Sequence, residues 1–288
     1  MLIVGCGYVG RRVAALYRAQ GEAVTGLVRT AESAAGLAAA DIVPLQGDLD
    51  GHFELPEGEP RVLYLVAPPE QGATDPRIGR FLDVAQRHGV RRIVYLGTTG
   101  VYGDCGGDWV DEDRPVSPGV DRARRRWDAE TRLRDWSARS GGKLVILRVA
   151  GIYGPGRLPL ARLRGGLPMV AEDEAPWTNR IHADDLAAVC VAAMAKGRDG
   201  AVYNVSDGHP GNMTDYFNRV ADAAGLPRPP TIRLADAEGR LSEGLISYLR
   251  ESRRLSNRRM LEELGVLLRY PTLEAGLRAS LEPRGPGS

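Results

Sequence analysis

The run Gly5-Cys6-Gly7-Tyr8-Val9-Gly10 constrains this chain more than any other stretch. It follows an apolar strand over residues 2–4 and opens an amphipathic helix over residues 11–19. In that setting Gly-x-Gly-x-x-Gly has a physical reading. Gly5 allows a tight turn, Gly7 lets a backbone approach a pyrophosphate, and Gly10 lets helix and strand pack closely. The helix N-terminus, with Tyr8 and Val9 in its first turn, then presents N–H groups and partial positive charge to the phosphates. The alternative is a bare structural turn.

The rest of the chain alternates in the same way. Apolar runs at residues 23–28, 42–45, 62–66, 93–96, 144–149 and 201–205 read as strands. Segments at 31–40, 78–88, 123–140, 184–195 and 214–224 read as helices, the last with Thr214 as N-cap and Gly225 as C-cap. Short buried strands alternating with helices predict an α/β fold: a Rossmann-type doubly wound parallel sheet of about seven strands with a small C-terminal substrate-side region. Residues 1–155 and 181–206 form the sheet domain in this reading. Residues 156–180 and 207–282 form the substrate side, with helices at 255–264 and 273–281, and 283–288 are a frayed tail.

Charge and composition narrow the partners. Thirty-eight basic residues against 37 acidic ones leave a net charge of +1, so neither nucleic acid nor a membrane surface is expected as a partner. Cys6, Cys105 and Cys190 are too far apart for a disulfide framework or a metal knuckle. His52, His88, His182 and His209 lack ligand spacing, so no metal is expected. The longest apolar run, residues 186–195, is too short to span a bilayer. With an apolar strand beginning at residue 2, the expectation is a cytoplasmic protein acting on a small molecule.

Further candidate residues lie where strands end. After the second strand stand Val28 and Arg29, where an NAD site usually holds an acid. Arg29 suits a 2′-phosphate and so favours NADP over NAD, the alternative being a solvated arginine in a chain with only two lysines. Asp48 and Leu49 follow the third strand. They suit an adenine, or else close a polar turn. Ala67 follows the fourth. Thr98, Thr99 and Tyr102 in Gly97-Thr-Thr-Gly-Val-Tyr-Gly103 follow the fifth and face the expected ligand crevice, the alternative being a capped strand exit.

Together these stretches resemble the extended short-chain dehydrogenase/reductase family, also called the nucleotide-sugar epimerase/dehydratase family. Its motifs match GCGYVG, GTTGVYG, Arg148–Gly156 (RVAGIYGPG), Arg180-Ile-His-Ala-Asp-Asp-Leu186 and Tyr203-Asn-Val205. The form of the glycine motif and the stretch SNRRMLEELGVLLRYPTLEAGL look like an atypical branch. The resemblance puts Thr98 at the place of a catalytic serine and Ile152 beside the nicotinamide. It also implies a Tyr-x-x-x-Lys pair at positions that here hold Arg122 and Arg126. Arg126 keeps a donor for ribose hydroxyls, whereas Arg122 cannot release a proton at neutral pH.

The missing acid has two candidates, Tyr102, with a phenol whose pKa falls beside Arg122 or Arg126, and His182, more naturally a structural residue. Arg124 and Arg125 read as a solvated face paired with Asp128 and Glu130. The expected function is an NADP(H)-dependent oxidoreductase or epimerase-like enzyme on a small carbonyl or hydroxyl compound. A silent NADP(H)-binding sensor is the alternative, and two long helices pairing into a homodimer is the expected assembly.

Overall fold

The computed structural model describes residues 1–58 and 61–282. Its centre is a seven-stranded parallel sheet. The strands are β1 (Leu2–Val4), β2 (Thr25–Val28), β3 (Val43–Gln46), β4 (Arg61–Tyr64), β5 (Arg92–Thr98), β6 (Lys143–Val149) and β7 (Val202–Val205). They lie in the order β7-β6-β5-β4-β1-β2-β3. Leu2, Ile3 and Val4 are fully buried, as are Ile93 to Tyr95 and Val145 to Leu147, because helices cover both faces and leave no polar side to alternate with.

On one face lie α1 (Tyr8–Ala19), α2 (Ala31–Ala38) and α5 (Ala183–Lys196). Val13, Tyr17, Leu37, Leu186, Val189 and Met194 share one apolar layer there. On the other lie α3 (Pro76–Arg87) and α4 (Asp121–Ser140), which bury Ile78, Phe81, Ala129, Leu133 and Trp136 against the opposite pleat. A third apolar cluster, around Met169, Met213, Phe217, Leu241 and Leu277, builds the region beyond the sheet, with α6 (Met213–Ala223) and α7 (Leu273–Leu281). The strand order reverses between β1 and β4, which opens a crevice at their carboxyl ends.

Several sequence expectations shift. α1 begins at Tyr8 because Gly7 itself is the N-cap, so the turn and the helix share residues. Asn212, rather than Thr214, caps α6: its side chain accepts from the backbone N–H groups of Thr214 at 2.7 Å and Asp215 at 3.2 Å. Thr214 instead donates its buried hydroxyl to the Val170 carbonyl at 2.7 Å. The helix expected at 255–264 is split, since Arg254–Leu255 pairs as a strand with Trp109–Val110 and the helix starts at Arg258. Short strands such as Gly151–Tyr153, paired with Arg180–His182, have no periodic signature and were not foreseen. The expected tail, 283–288, lies outside the described residues.

One ion pair is sealed in this framework. Arg148 on β6 donates Nε to Glu130 Oε1 at 3.1 Å and Nη2 to Oε2 at 2.8 Å, with side chains 4% and 0% exposed. Burial opposes the Arg148 charge, but Glu130 outweighs it and holds the guanidinium above its ordinary range. Glu130→Leu strands that charge and should cost about 3–5 kcal/mol in urea unfolding. Adding Arg148→Met should restore most of the loss. Equal stability of the single and double variants would show that the pair does not hold β6 to α4.

Candidate active site

Two neighbouring cavities occupy the carboxyl ends of the strands. The smaller, of about 280 Å³, is lined by Gly5, Gly7, Val28, Arg29, Ser33, Asp48, Leu49 and Val66 among others. Gly5 turns the chain at φ +86°, and a Cβ there would stand 2.8 Å from Val66 Cγ2. The N–H groups of Gly5 and Cys6 donate to the Leu27 carbonyl at 3.0 and 3.2 Å, which ties the turn to β2. A Cβ at Gly10 would meet Ile3 at 3.1 Å and Gly5 O at 3.3 Å, as close helix–strand packing requires. A Cβ at Gly7 would meet nothing within 4 Å. No side chain caps α1 and no acid occupies its first turn, so its end is open to an anion.

The side chains of that turn are engaged elsewhere. Tyr8 donates its hydroxyl to the Pro155 carbonyl at 2.9 Å, and Val9 packs into the apolar layer under α1. Arg29 is exposed at the cavity rim beside Ser33. Asp48 accepts from Asp50 N at 2.9 Å and so closes a turn while lining the cavity. Leu49 is buried in the core and shows the cavity only part of its surface. Arg77, which forks onto Asp50 and donates to the Ala67 carbonyl at 2.9 Å, braces this wall.

At the end of β4 the smaller cavity passes to a cleft of about 580 Å³, Val66 lining the first and Ala67 the second. Thr98, Arg126 and Ile152 also line this cleft. Thr98 Oγ1 accepts from Gly100 N at 3.2 Å, which leaves its hydroxyl proton for a ligand. Arg126 Nη1 lies 3.4 Å from Val66 O, 3.2 Å from Leu96 O and 3.3 Å from the Tyr95 hydroxyl, and so gathers the ends of β4 and β5. Arg122 is turned the other way. It bonds Ser247 Oγ, lies 3.4 Å from Glu251 Oε1 and stacks 4.0 Å over the Tyr248 ring.

Tyr102 is a correction. Its side chain is 1% exposed and outside the cleft wall, and its hydroxyl donates to Asn204 Oδ1 at 2.8 Å. Burial pushes the phenol up to about 12, the opposite of the expected fall, although Arg148 lies 4.8 Å from its ring. Arg125 is a second correction. It is 9% exposed, lines the cleft and donates to Gly72 O at 2.5 Å, while Asp128 and Glu130 are taken by Arg132 and Arg148. Arg124, paired with Asp121 at 2.8 Å, is the solvated member of the run. His182 is buried, and its Nδ1 accepts from Asp184 N at 3.2 Å to cap α5.

Comparison with known proteins fits this geometry. Residues 79–206 match the NAD dependent epimerase/dehydratase family. Protein YeeZ of Escherichia coli K12 is 29% identical over 285 residues, 93% of this chain and 95% of that protein. A solved structure described as a functionally unknown conserved protein from Silicibacter pomeroyi is 35% identical, covers 96% of both chains and superposes with a TM-score of 0.82. The chain belongs to the NAD dependent epimerase/dehydratase family. The fold of this epimerase/dehydratase chain is also that of a UDP-glucose 4-epimerase from Thermotoga maritima solved with UDP-glucose, with a TM-score of 0.75 at 18% identity over 97% and 96% of the two chains.

The far wall of the cleft was not foreseen. Trp177, Asn179, Tyr216, Tyr248, Glu251 and Arg253 carry no local motif, and they meet through contacts distant in sequence. Asn179 joins the wall to the C-terminal segment, with Nδ2 donating to Arg253 O at 3.0 Å and Oδ1 accepting from Leu255 N at 2.8 Å. Behind it lies Asp207, buried, with Oδ1 accepting from His209 N at 2.9 Å.

Burial raises Asp207 from 3.8 to about 6. A carboxyl raised by folding holds its proton longer in the native state, so stability declines as pH rises between those values. Asp207→Asn keeps the acceptor and removes that cost. It should stabilise by up to about 3 kcal/mol at pH 8 and by about 0.5 kcal/mol at pH 4 in urea unfolding. An equal gain at both pH values would disprove the charge explanation.

Proposed function

We propose that the chain is an NADP(H)-dependent oxidoreductase or epimerase-like enzyme acting on a small carbonyl or hydroxyl compound. The observation that carries the cofactor part is the uncapped α1 turn, open at Gly7, with Arg29 and no acid at the end of β2. These residues fit a dinucleotide: α1 faces the pyrophosphate, Arg29 with Ser33 takes the 2′-phosphate, and Asp48 with Leu49 borders the adenine. Ala67 and Ile152 flank the path into the larger cleft. When bound, the cofactor gives or accepts a hydride.

The chain's own part is binding and orientation. Arg126 stands where the family's lysine is expected. While Nη1 braces the strand ends, its remaining donors serve the ribose hydroxyls. Thr98 directs its hydroxyl at the substrate oxygen. Arg122, at the tyrosine position, is held by Ser247 and Glu251 and acts as a strut rather than an acid. The buried Tyr102 favours the second reading, a cofactor-binding protein without turnover, because no phenol lies on the α4 face.

Thermal unfolding with each cofactor tests the reading. NADPH at a hundredfold excess over its Kd should stabilise by about 2.7 kcal/mol, NADH by far less. Arg29→Ala should weaken NADPH about tenfold and leave NADH unchanged. Gly7→Ala should fold normally and respond to neither. No response of the wild type to NADPH overturns the proposal. NADPH binding without NADPH oxidation across a broad carbonyl panel selects the binding-protein reading. Where turnover is found, Thr98→Val should lower kcat at least tenfold and Tyr102→Phe should not.

A further inference from the structure

Hydride delivery to a carbonyl leaves an alkoxide that needs a proton, and the larger cleft holds few groups able to give one. Among the described residues that line it, those groups are Glu70, Tyr216, Tyr248 and Glu251, since a guanidinium keeps its protons. Glu251 is 7% exposed and lies 3.4 Å from Arg122 Nη2 and 3.0 Å from Arg253 Nη2. Tyr216 is 8% exposed, with the Arg180 guanidinium 4.3 Å from its ring centroid and the Phe217 ring at 5.6 Å. Burial pushes its phenol above the ordinary range, where it holds its proton. Glu70 is exposed on the loop after β4, and among the described residues no hydrogen bond or ion pair orients it.

Tyr248 has a different setting. It stands on the helix Glu243–Leu249, lines the cleft and is 52% exposed. The Arg122 guanidinium covers its ring, 4.0 Å from the centroid. That guanidinium is itself fixed, bonded to Ser247 Oγ and 3.4 Å from Glu251 Oε1. Among the described residues, no hydrogen bond engages the Tyr248 hydroxyl, which keeps its proton for a ligand. Arg122 also ties the ring to the Thr98 side of the cleft. Its neighbour Ala123 meets Thr98 across Gly100, where a Cβ would stand 3.5 Å from Thr98 Oγ1 and 3.8 Å from Ala123 Cβ. α4 carries no phenol of its own, and this one is laid against it by a neighbouring helix.

We propose that Tyr248 is the general acid of the cleft and Arg122 its positioning residue. The assignment rests on the function proposed above. In the reducing direction the Tyr248 O–H bond breaks as the substrate oxygen takes its proton, while the substrate carbon gains the hydride that bound NADPH supplies. A phenolate is left. Water reaching the half-exposed ring reprotonates it, so solvent closes the balance. In the oxidising direction the same phenolate accepts the proton of a substrate hydroxyl.

NADPH oxidation by the full chain, across a carbonyl panel headed by glyceraldehyde, benzaldehyde and diacetyl, tests this. With the best substrate, Tyr248→Phe should lower kcat at least a hundredfold, roughly the lower bound for a positioned acid, with KM and the NADPH Kd within twofold. The basic limb of the wild-type kcat–pH profile, where the phenol loses its proton, should vanish in this variant. Arg122→Leu keeps the phenol and frees the ring, so it should lower kcat about tenfold and retain the limb. Nitration by tetranitromethane, mapped by mass spectrometry, gives a readout without turnover. Tyr248 should react in the free chain and be protected when NADPH and the carbonyl are both bound. Turnover that survives Tyr248→Phe, a basic limb that persists in it, or nitration unchanged by the bound pair overturns the proposal and leaves the oxidoreductase reading standing. So does loss of turnover in Tyr216→Phe with Tyr248→Phe active, which moves the acid to the buried phenol. No NADPH oxidation by the wild type with any carbonyl overturns the oxidoreductase reading and this proposal with it.

Discussion

The turn from β1 into α1 sets what the remaining elements can do. Gly5 at φ +86° reverses the chain so tightly that Val66, at the end of β4, leaves no room for a side chain. Bonds from Gly5 and Cys6 to Leu27 O hold the same turn against β2. Three strands are thereby indexed to the N-terminus of one helix, and everything beyond their carboxyl ends must face it. The arrangement leaves the backbone donors of the α1 N-terminus without a side-chain cap and open to an anion.

The sheet was legible because burial on both faces writes continuous Val, Leu and Ile runs, and because glycine spacing at residues 5–10 has a single sterically sensible use. The lining of the smaller cavity followed from the same logic, since most residues there lie within a few positions of a strand end. Tyr102 was misplaced by that rule. It sits four residues past Thr98, but a 3₁₀ turn and Gly103, at φ +70° against Ser117 O, swing the ring back toward Asn204 on β7. No local pattern announces a partner 102 residues away. Arg125 failed for a related reason: the loop carrying Gly72 folds over α4 and converts an outer face into a wall.

In the proposed reading, the arginines of α4 change what the Tyr-x-x-x-Lys positions can accomplish. A tyrosine four residues before a lysine can pass a proton, whereas two guanidiniums cannot. What they can do is hold geometry through several fixed donors at once. Arg122 fastens the helix Glu243–Leu249 through Ser247, Tyr248 and the neighbouring Glu251. Arg126 gathers the carbonyl ends of β4 and β5. One helix face thus links the sheet to the far wall of the cleft.

The proposed exchange of a tyrosine and a lysine for two guanidiniums shifts the chemical burden onto the ligand and the rest of the cleft. In that proposal, with guanidiniums at both positions, a substrate oxygen is polarised by the Thr98 hydroxyl and by the positive field of the cleft, and solvent or the substrate itself completes the proton balance. A field of this sign binds a developing alkoxide in the transition state more strongly than a neutral carbonyl, so it lowers the barrier instead of merely capturing substrate.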